Sequence, residues 1–306
     1  MNTAFQLVVP ADQTRLPGMK TLMADRSQAH KVNYYHNLPY VERAEEKLHF
    51  QLLMPDGLVP GMNNGRRYPL VVYVQGAAWG EQDVFVNLPQ LCRIAQAGYV
   101  VASVKHRAAK TAKFPAFLQD VKSAIRFLRA HADQLSIRPD AVAIWGDSSG
   151  GNAALLAGVT GDDPQFKTED NAAVSDEVNA VIDFYGPTDL SRINDAPRNP
   201  AFTADKNNIP EDILFEGCVI EHPEIAQPGN PLNYVTADKK LPPFLIVHGD
   251  SDAMVPFNQS VLMAKKLQDC GKTVEFCKVC GADHGVFLWT DEVLETVLRF
   301  LKAYVG

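Results

Sequence analysis

The sequence predicts an α/β fold, a doubly wound and mostly parallel sheet with a small cap insertion. Short apolar, β-branched runs recur along the chain with helical patterns between them, the rhythm of strand–helix–strand units. Those runs are continuously hydrophobic rather than alternating, as strands covered on both faces must be. A length of 306 residues with 46% hydrophobic content is ample for one such domain without disulfides.

In chain order, residues 1–45 are mixed and read as an N-terminal arm or edge element, with Tyr34, Tyr35 and Tyr40 leading into the first strands. The main domain is expected over 46–306, with strands at 48–54, 70–75, 99–104, 141–145, 180–185, 244–248 and 274–280. A helix is expected at 118–132, where Val121, Ile125, Phe127, Leu128 and Ala132 fall near one stripe. Another is expected at 291–305: Thr290 is a suitable N-cap, Asp291 and Glu292 favour the helix N-terminus, and Val293, Val297, Leu301 and Tyr304 supply an apolar face. Residues 191–240 break this rhythm with Pro197, Pro200, Pro210, Pro223, Pro228 and Pro231 and only short helical pieces such as 211–215. A loop-rich stretch this long between two core strands is where a lid over a site would be inserted, so 191–240 is expected to be a cap.

The chemistry starts at Gly146-Asp147-Ser148-Ser149-Gly150-Gly151, which follows the apolar run 141–145 and precedes Asn152-Ala153-Ala154-Leu155-Leu156-Ala157. Strand, G-x-S-x-G, then small-residue helix is the context of a nucleophile elbow, a strained turn that lifts a serine hydroxyl above the end of a sheet. Ser148 is the candidate nucleophile. A base must take its proton, an acid must orient that base, and backbone donors must face the developing oxyanion.

In elbow enzymes the partners follow in the order acid, then histidine. The loop after the strand at 244–248 reads Gly249-Asp250-Ser251-Asp252-Ala253-Met254-Val255-Pro256; Asp252 is the candidate acid, with Asp250 the alternative or a brace for the turn. The loop after the last strand reads Gly281-Ala282-Asp283-His284-Gly285, making His284 the candidate base and Asp283 a loop brace. His30, His36, His49, His106, His131, His222 and His248 read as ordinary surface or core residues. For the oxyanion hole, the N–H of Ser149 follows the nucleophile, and the early loop Gln75-Gly76-Ala77-Ala78-Trp79-Gly80 offers Ala77 N–H, with Ala78 assisting. Because alanine tolerates fewer backbone conformations than glycine, this loop is expected to use ordinary dihedrals.

Together, the segments 75–79, 146–151, 248–256 and 281–285 make the chain resemble an α/β-hydrolase of the esterase/lipase superfamily, and more closely its bacterial acetyl esterase and feruloyl esterase-like branch. The resemblance covers the chain from about residue 45 onward. It implies a catalytic Ser148, Asp252 and His284, no cofactor, and short acyl or hydroxycinnamoyl esters as substrates, including those on plant-derived saccharides. The family's oxyanion motif reads H-G-G-G or H-G-G-A before an aromatic residue. Here Gln75 stands for the histidine and Ala77 for a glycine, which keeps backbone donors but bears on their positions and on acyl preference. The D-P-L-x-D acid loop of the hormone-sensitive lipase branch is absent, which favours the feruloyl esterase-like side.

Trp79, Tyr185, Phe287 and Trp289 lie on loops at the expected active edge and are candidates for an acyl or alcohol pocket, with core packing the alternative for each; Phe202 and Phe215 are weaker candidates from the cap. Asp147 could tune the nucleophile or brace neighbouring loops, with His106-Arg107 as its expected partners. Cys277-Lys278-Val279-Cys280 has metal-ligand spacing near His284, but a strand offers no fourth ligand, so no metal site is expected.

A net charge of −7 without a basic stripe argues against nucleic acid, and no apolar run approaches the ~20 residues of a membrane helix. Five cysteines at irregular spacing give no disulfide framework, and Met1-Asn2-Thr3-Ala4-Phe5 lacks a secretion-signal pattern, so a cytoplasmic location is expected. The expected activity is a serine carboxylesterase acting on a small-molecule ester, with homo-oligomerisation left open. The rivals are a serine peptidase of prolyl oligopeptidase type, which shares the triad order and the Asp-x-x-Val-Pro loop, and a non-catalytic binding protein on a hydrolase fold.

Overall fold

In the computed structural model the apolar runs become strands of one sheet whose central members are covered on both faces. The structure describes residues 12–23, 31–57, 60–61, 65–196, 198–200, 205 and 208–306, so Phe202 and the first residues lie outside it. The strands are β1 (Asn33–Glu42), β2 (Lys47–Met54), β3 (Tyr68–Val74), β4 (Val100–Val104), β5 (Ile137–Asp147), β6 (Ala180–Phe184), β7 (Phe244–Gly249) and β8 (Val274–Val279). They form one sheet in the order β1-β2-β4-β3-β5-β6-β7-β8. The β1–β2 and β2–β4 pairs are antiparallel; every other neighbour is parallel.

Alternate residues of each strand feed two separate cores. Leu70, Val72 and Val74 of β3 and Val142 and Ile144 of β5 pack with α2 (Ala116–Ala130), α3 (Ser149–Val159) and α5 (Asn258–Asp269) on one face. Val71 and Tyr73, with Ala143 and Trp145, pack with α1 (Leu88–Gln96) and α6 (Asp291–Tyr304) on the other. This doubly wound arrangement is why the central strands carry no polar alternation. The segment 33–42 forms β1, an edge strand with irregular register at Tyr35/Leu38 and Pro39/Val41. Its single fully buried position is Tyr40, and its outer edge tolerates Pro39.

At the C-terminus Thr290 caps α6, its hydroxyl accepting the Val293 N–H. The buried face is Val293, Leu294, Val297, Phe300 and Leu301. Tyr304, expected to be buried, is 39% exposed and packs its ring on Phe300 instead, because the stripe has rotated past the core by the last turn.

Between β6 and β7 the chain forms short helical turns at Leu190–Arg192, Pro223–Gly229 and Pro231–Tyr234 and the six-residue helix α4 (Pro210–Phe215). They are tied to the body by Lys113 Nζ to Ile213 O at 2.9 Å, Phe114 N to Leu214 O at 3.1 Å and Asn152 Nδ2 to Gly229 O at 3.1 Å.

Candidate active site

Ser148 sits between the end of β5 and the start of α3 with φ 53° and ψ −125°, a conformation an L-residue adopts only under constraint. Its N–H donates to Phe184 O at 2.8 Å. The turn closes because its glycines lack side chains: a Cβ on Gly150 would lie 2.0 Å from Val74 O, and one on Gly76 would lie 2.3 Å from Asp147 O and 2.6 Å from Ser148 Cβ. The 75–80 loop therefore rests directly against the elbow.

The loops after β7 and β8 bring the other two residues to it. His284 Nε2 is 3.0 Å from Ser148 Oγ, and His284 Nδ1 is 2.7 Å from Asp252 Oδ2. The other Asp252 oxygen accepts the N–H groups of Met254 at 2.8 Å and Val255 at 2.9 Å, so the carboxylate is fixed from both sides. Asp250 is the turn brace, accepting Gly281 N–H at 2.7 Å. The backbone carbonyl of Asp283 accepts Gly285 N–H in the same loop.

His248, read as an ordinary residue in the sequence, belongs to this site. It is fully buried, with Nε2 3.2 Å from Asp252 Oδ2 and 3.0 Å from Val255 O, and Nδ1 2.7 Å from Ser260 Oγ. Two acceptors facing Nε2 assign it the proton, leaving Nδ1 to accept from the serine. Burial pushes the Asp252 carboxyl up, but the hydrogen bonds from His248 and His284 outweigh it and hold the group well below the usual carboxylate range. Its place at the end of β7, four residues before the acid, was the signal available.

Asp147 braces loops, as one of its two readings had it, but with different partners. It accepts hydrogen bonds from the Tyr73 hydroxyl and from Gly76 N–H at 3.1 Å, while Asn87 Nδ2 donates to Tyr73 at 2.5 Å. Burial raises its carboxyl above the ordinary value against these bonds. His106 and Arg107 do not reach it: Arg107 forks onto Asp120 at 2.8 and 3.0 Å, and His106 bonds the Arg107 carbonyl.

The 75–80 loop departs from expectation. Gly80 N–H closes a turn onto Ala77 O at 2.8 Å, and its two central residues, Ala78 at φ 50° and Trp79 at φ 55°, are both left-handed. This is a type I′ turn built without glycine, not a loop of ordinary dihedrals. Ser149 N–H lies at the first helical position of α3, where it has no intrahelical acceptor. Ala77 N–H is engaged in the free protein by Ser149 Oγ at 3.0 Å.

Two cavities border Ser148 and His284. One, of about 30 Å³, is lined by Trp79, Pro187, Ile193, Val255 and the Arg198–Glu211 pair. The other is an open cleft of about 610 Å³ lined by Gln75, Asn87, Gln90, Tyr185, Val286 and Trp289. Ala78 lines both. Trp79 is 2% exposed, with its indole N–H on Asn152 Oδ1 at 3.4 Å, so it both packs in the core and walls the small cavity. Tyr185 lays its ring edge-on to His284 at 4.6 Å, and Trp289 packs on Trp145 at 5.3 Å. Phe287 is 61% exposed and lines neither cavity, because the turn at Val286–Leu288 directs Leu288 inward instead. Phe215 packs against Phe114 at 5.2 Å, also away from both. A groove of about 750 Å³ among Arg129, Glu177 and Lys240 includes the residues leading into β6 and β7, at the other end of the strands from Ser148. Cys277 lies in β8 and Cys280 just beyond it, while His284 is held by Asp252 and Ser148.

The BD-FAE family model matches residues 58–267. The chain belongs to the BD-FAE family. Its sheet and helices are those of an α/β-hydrolase, and solved structures agree. This BD-FAE member is 26% identical to a truncated form of carbohydrate esterase from gut microbiota, with a TM-score of 0.77 over 92% of this chain and 98% of that one. A bifunctional GH43-CE protein of Bacteroides eggerthii is 27% identical with a TM-score of 0.77, over 89% of this chain and 38% of that one. Among curated proteins, esterase LipC of Mycobacterium tuberculosis is 30% identical over 219 residues, 71% of this chain and 53% of LipC. Esterase LipQ of the same organism is 28% identical over 261 residues, 81% of this chain and 58% of LipQ. The BD-FAE chain thus spans about half the length of the curated relatives it matches. No helix among the described residues is long and apolar enough to cross a membrane.

Proposed function

We propose that this BD-FAE member is a serine carboxylesterase that hydrolyses small carboxylic esters through an acyl-enzyme. The observation that carries the reading is the continuous hydrogen-bonded line Ser148–His284–Asp252, with contacts of 3.0 and 2.7 Å from residues 136 and 32 positions apart in the chain. His284 Nε2 takes the Ser148 proton as Oγ bonds to the acyl carbon, and the carbonyl electron pair moves onto oxygen. Asp252, held ionised, stabilises the imidazolium. His284 then gives the proton to the departing alkoxide, and the acyl–Oγ bond is hydrolysed by the same steps with water as nucleophile. No cofactor enters.

Ser149 N–H and Ala77 N–H are the proposed oxyanion donors, with Ala78 supporting the turn; the oxyanion competes with Ser149 Oγ for Ala77. The open cleft gives room for the larger part of the ester, walled by Tyr185 and Trp289, and the small cavity for the shorter part under the 191–240 segment, which acts as a cap. Short acyl groups and hydroxycinnamoyl esters, including those on saccharides, are the proposed substrate range; the carbohydrate esterase likeness supports the saccharide side.

The test is hydrolysis of p-nitrophenyl esters from C2 to C12, alongside methyl ferulate, by wild type and Ser148→Ala. Loss of several orders of magnitude in the variant supports the serine mechanism. Equal turnover by both proteins, or absence of fluorophosphonate labelling of Ser148, overturns it.

A further inference from the structure

Apart from Ser148, Ser149 and His284, the small cavity is apolar except at one wall. There Arg198 and Glu211 form an ion pair, Nη2 to Oε1 at 3.0 Å, with side chains 6% and 3% exposed. Arg198 also donates from Nε to Met254 O at 2.9 Å and from Nη1 to Asn194 Oδ1 at 3.4 Å. Glu211 Oε2 is buried and accepts no hydrogen bond among the described residues. A buried carboxylate oxygen without a donor is costly, and this one belongs to a residue lining the cavity that also touches the nucleophile. Because Arg198 already balances the charge, a neutral donor suits the site better than a cation. The cavity, about 30 Å³, holds about two water-sized groups.

Building on the proposed esterase reading, we infer that Glu211 is a specificity residue that accepts a hydrogen bond from a hydroxyl on the short end of the ester, so that the site selects short hydroxylated esters over alkyl esters of the same shape. A hydroxymethyl group matches the cavity in both size and chemistry. The larger end of the ester lies in the open cleft, and Arg198 keeps Glu211 in place.

Isosteric substrate pairs test this. Glycolyl and propionyl esters of 4-methylumbelliferone differ only in a terminal OH or CH3 on the acyl side; 2-hydroxyethyl and propyl esters of ferulic acid make the same change on the alcohol side. Each pair is measured with wild type, with Glu211→Met, which removes the acceptor, and with the doubly neutral Arg198→Met/Glu211→Met protein, which leaves no buried charge should the single variant fold poorly. Dividing the wild-type kcat/KM ratio by that of the variant cancels intrinsic reactivity. The expected result is that the preference for the hydroxylated member falls about tenfold to a hundredfold in the variants in one pair, the hydroxylated member losing more than the alkyl member. The pair that responds identifies the end of the ester in the cavity. Unchanged ratios in both pairs, or equal losses on hydroxylated and alkyl members, overturn the inference and leave Glu211 a support for α4. Failure of wild type on all four esters, with Ser148 unlabelled by fluorophosphonate, refutes the serine-hydrolase reading and the inference together.

Discussion

Gly76→Ala probes whether the contact between the 75–80 loop and the elbow sets the rate. A Cβ at Gly76 would lie 2.3 Å from Asp147 O and 2.6 Å from Ser148 Cβ, both fixed by the strand–turn–helix junction. Neither atom can give way without moving β5, so the loop must withdraw, by about 1 Å, to reach an ordinary contact. Ala77 N–H, the adjoining residue's donor, lies 3.0 Å from Ser149 Oγ, and a displacement of that size takes it beyond hydrogen-bond range of the oxyanion position. Losing one oxyanion donor lowers kcat by about 10²–10³, with KM affected far less. Steady-state kinetics on p-nitrophenyl acetate with a parallel thermal melt measure the effect, and fluorophosphonate labelling reports whether Ser148 still reacts. A folded Gly76→Ala protein with kcat within about threefold of wild type would refute the claim that this loop supplies a donor.

Further outcomes follow from the same geometry. Asp252→Asn should lower kcat by about 10⁴, because a carboxamide in place of the carboxylate leaves His284 in the wrong tautomer, and kinetics near neutral pH will read it. His248→Leu should move the acid limb of the kcat/KM profile upward, since Asp252 loses a donor and draws more strongly on His284; a purely structural role would lower the melting temperature and leave the limb in place. Asp183→Asn should raise the melting temperature at neutral pH and lose that advantage by about pH 4. The reason is that burial lifts the Asp183 carboxyl well above its ordinary value in the folded protein, so the unfolded chain ionises first and wild-type stability falls as pH rises through that interval. Ala78→Gly should raise the melting temperature by about 1–2 °C, because the relief at φ 50° exceeds the entropy glycine gains on unfolding.

The sheet was legible because strands buried on both faces must be apolar throughout. β1 was harder to read: an edge strand with one covered side needs only Tyr40 inside, and its Asn, His and Pro residues resemble loop composition. α1 and α5 went unmarked for a related reason, since Leu91, Ile94 and Ala95 in one and Met263, Ala264 and Leu267 in the other make short stripes lacking side-chain N-caps. The candidate triad could be read from order alone, since each member follows a strand whose end the sheet aligns. His248 could not, because its role depends on Asp252 turning back toward its own strand. Phe287 was misplaced because loop position does not determine which of two neighbouring side chains points inward.

Strain explains why the sequence said least about the conformation of the 75–80 loop. Ala78, Trp79, Ser148 and Tyr185 are all left-handed without being glycine, and all four border the two cavities at the nucleophile. Such conformations cost of order 1–3 kcal/mol each and persist only where surroundings over-determine them. Here the surroundings are specific: Trp79 is held by Asn152, Ser148 by Phe184 O, and Tyr185 by Val247 O at 2.9 Å. Those anchors lie on α3, β6 and β7, the most deeply packed part of the sheet. The alternating cores that make the strands easy to read therefore supply the free energy that holds the site in a geometry its own residues do not prefer. A single left-handed glycine would have advertised the turn; alanine and tryptophan there conceal it, and only the packed structure reveals it.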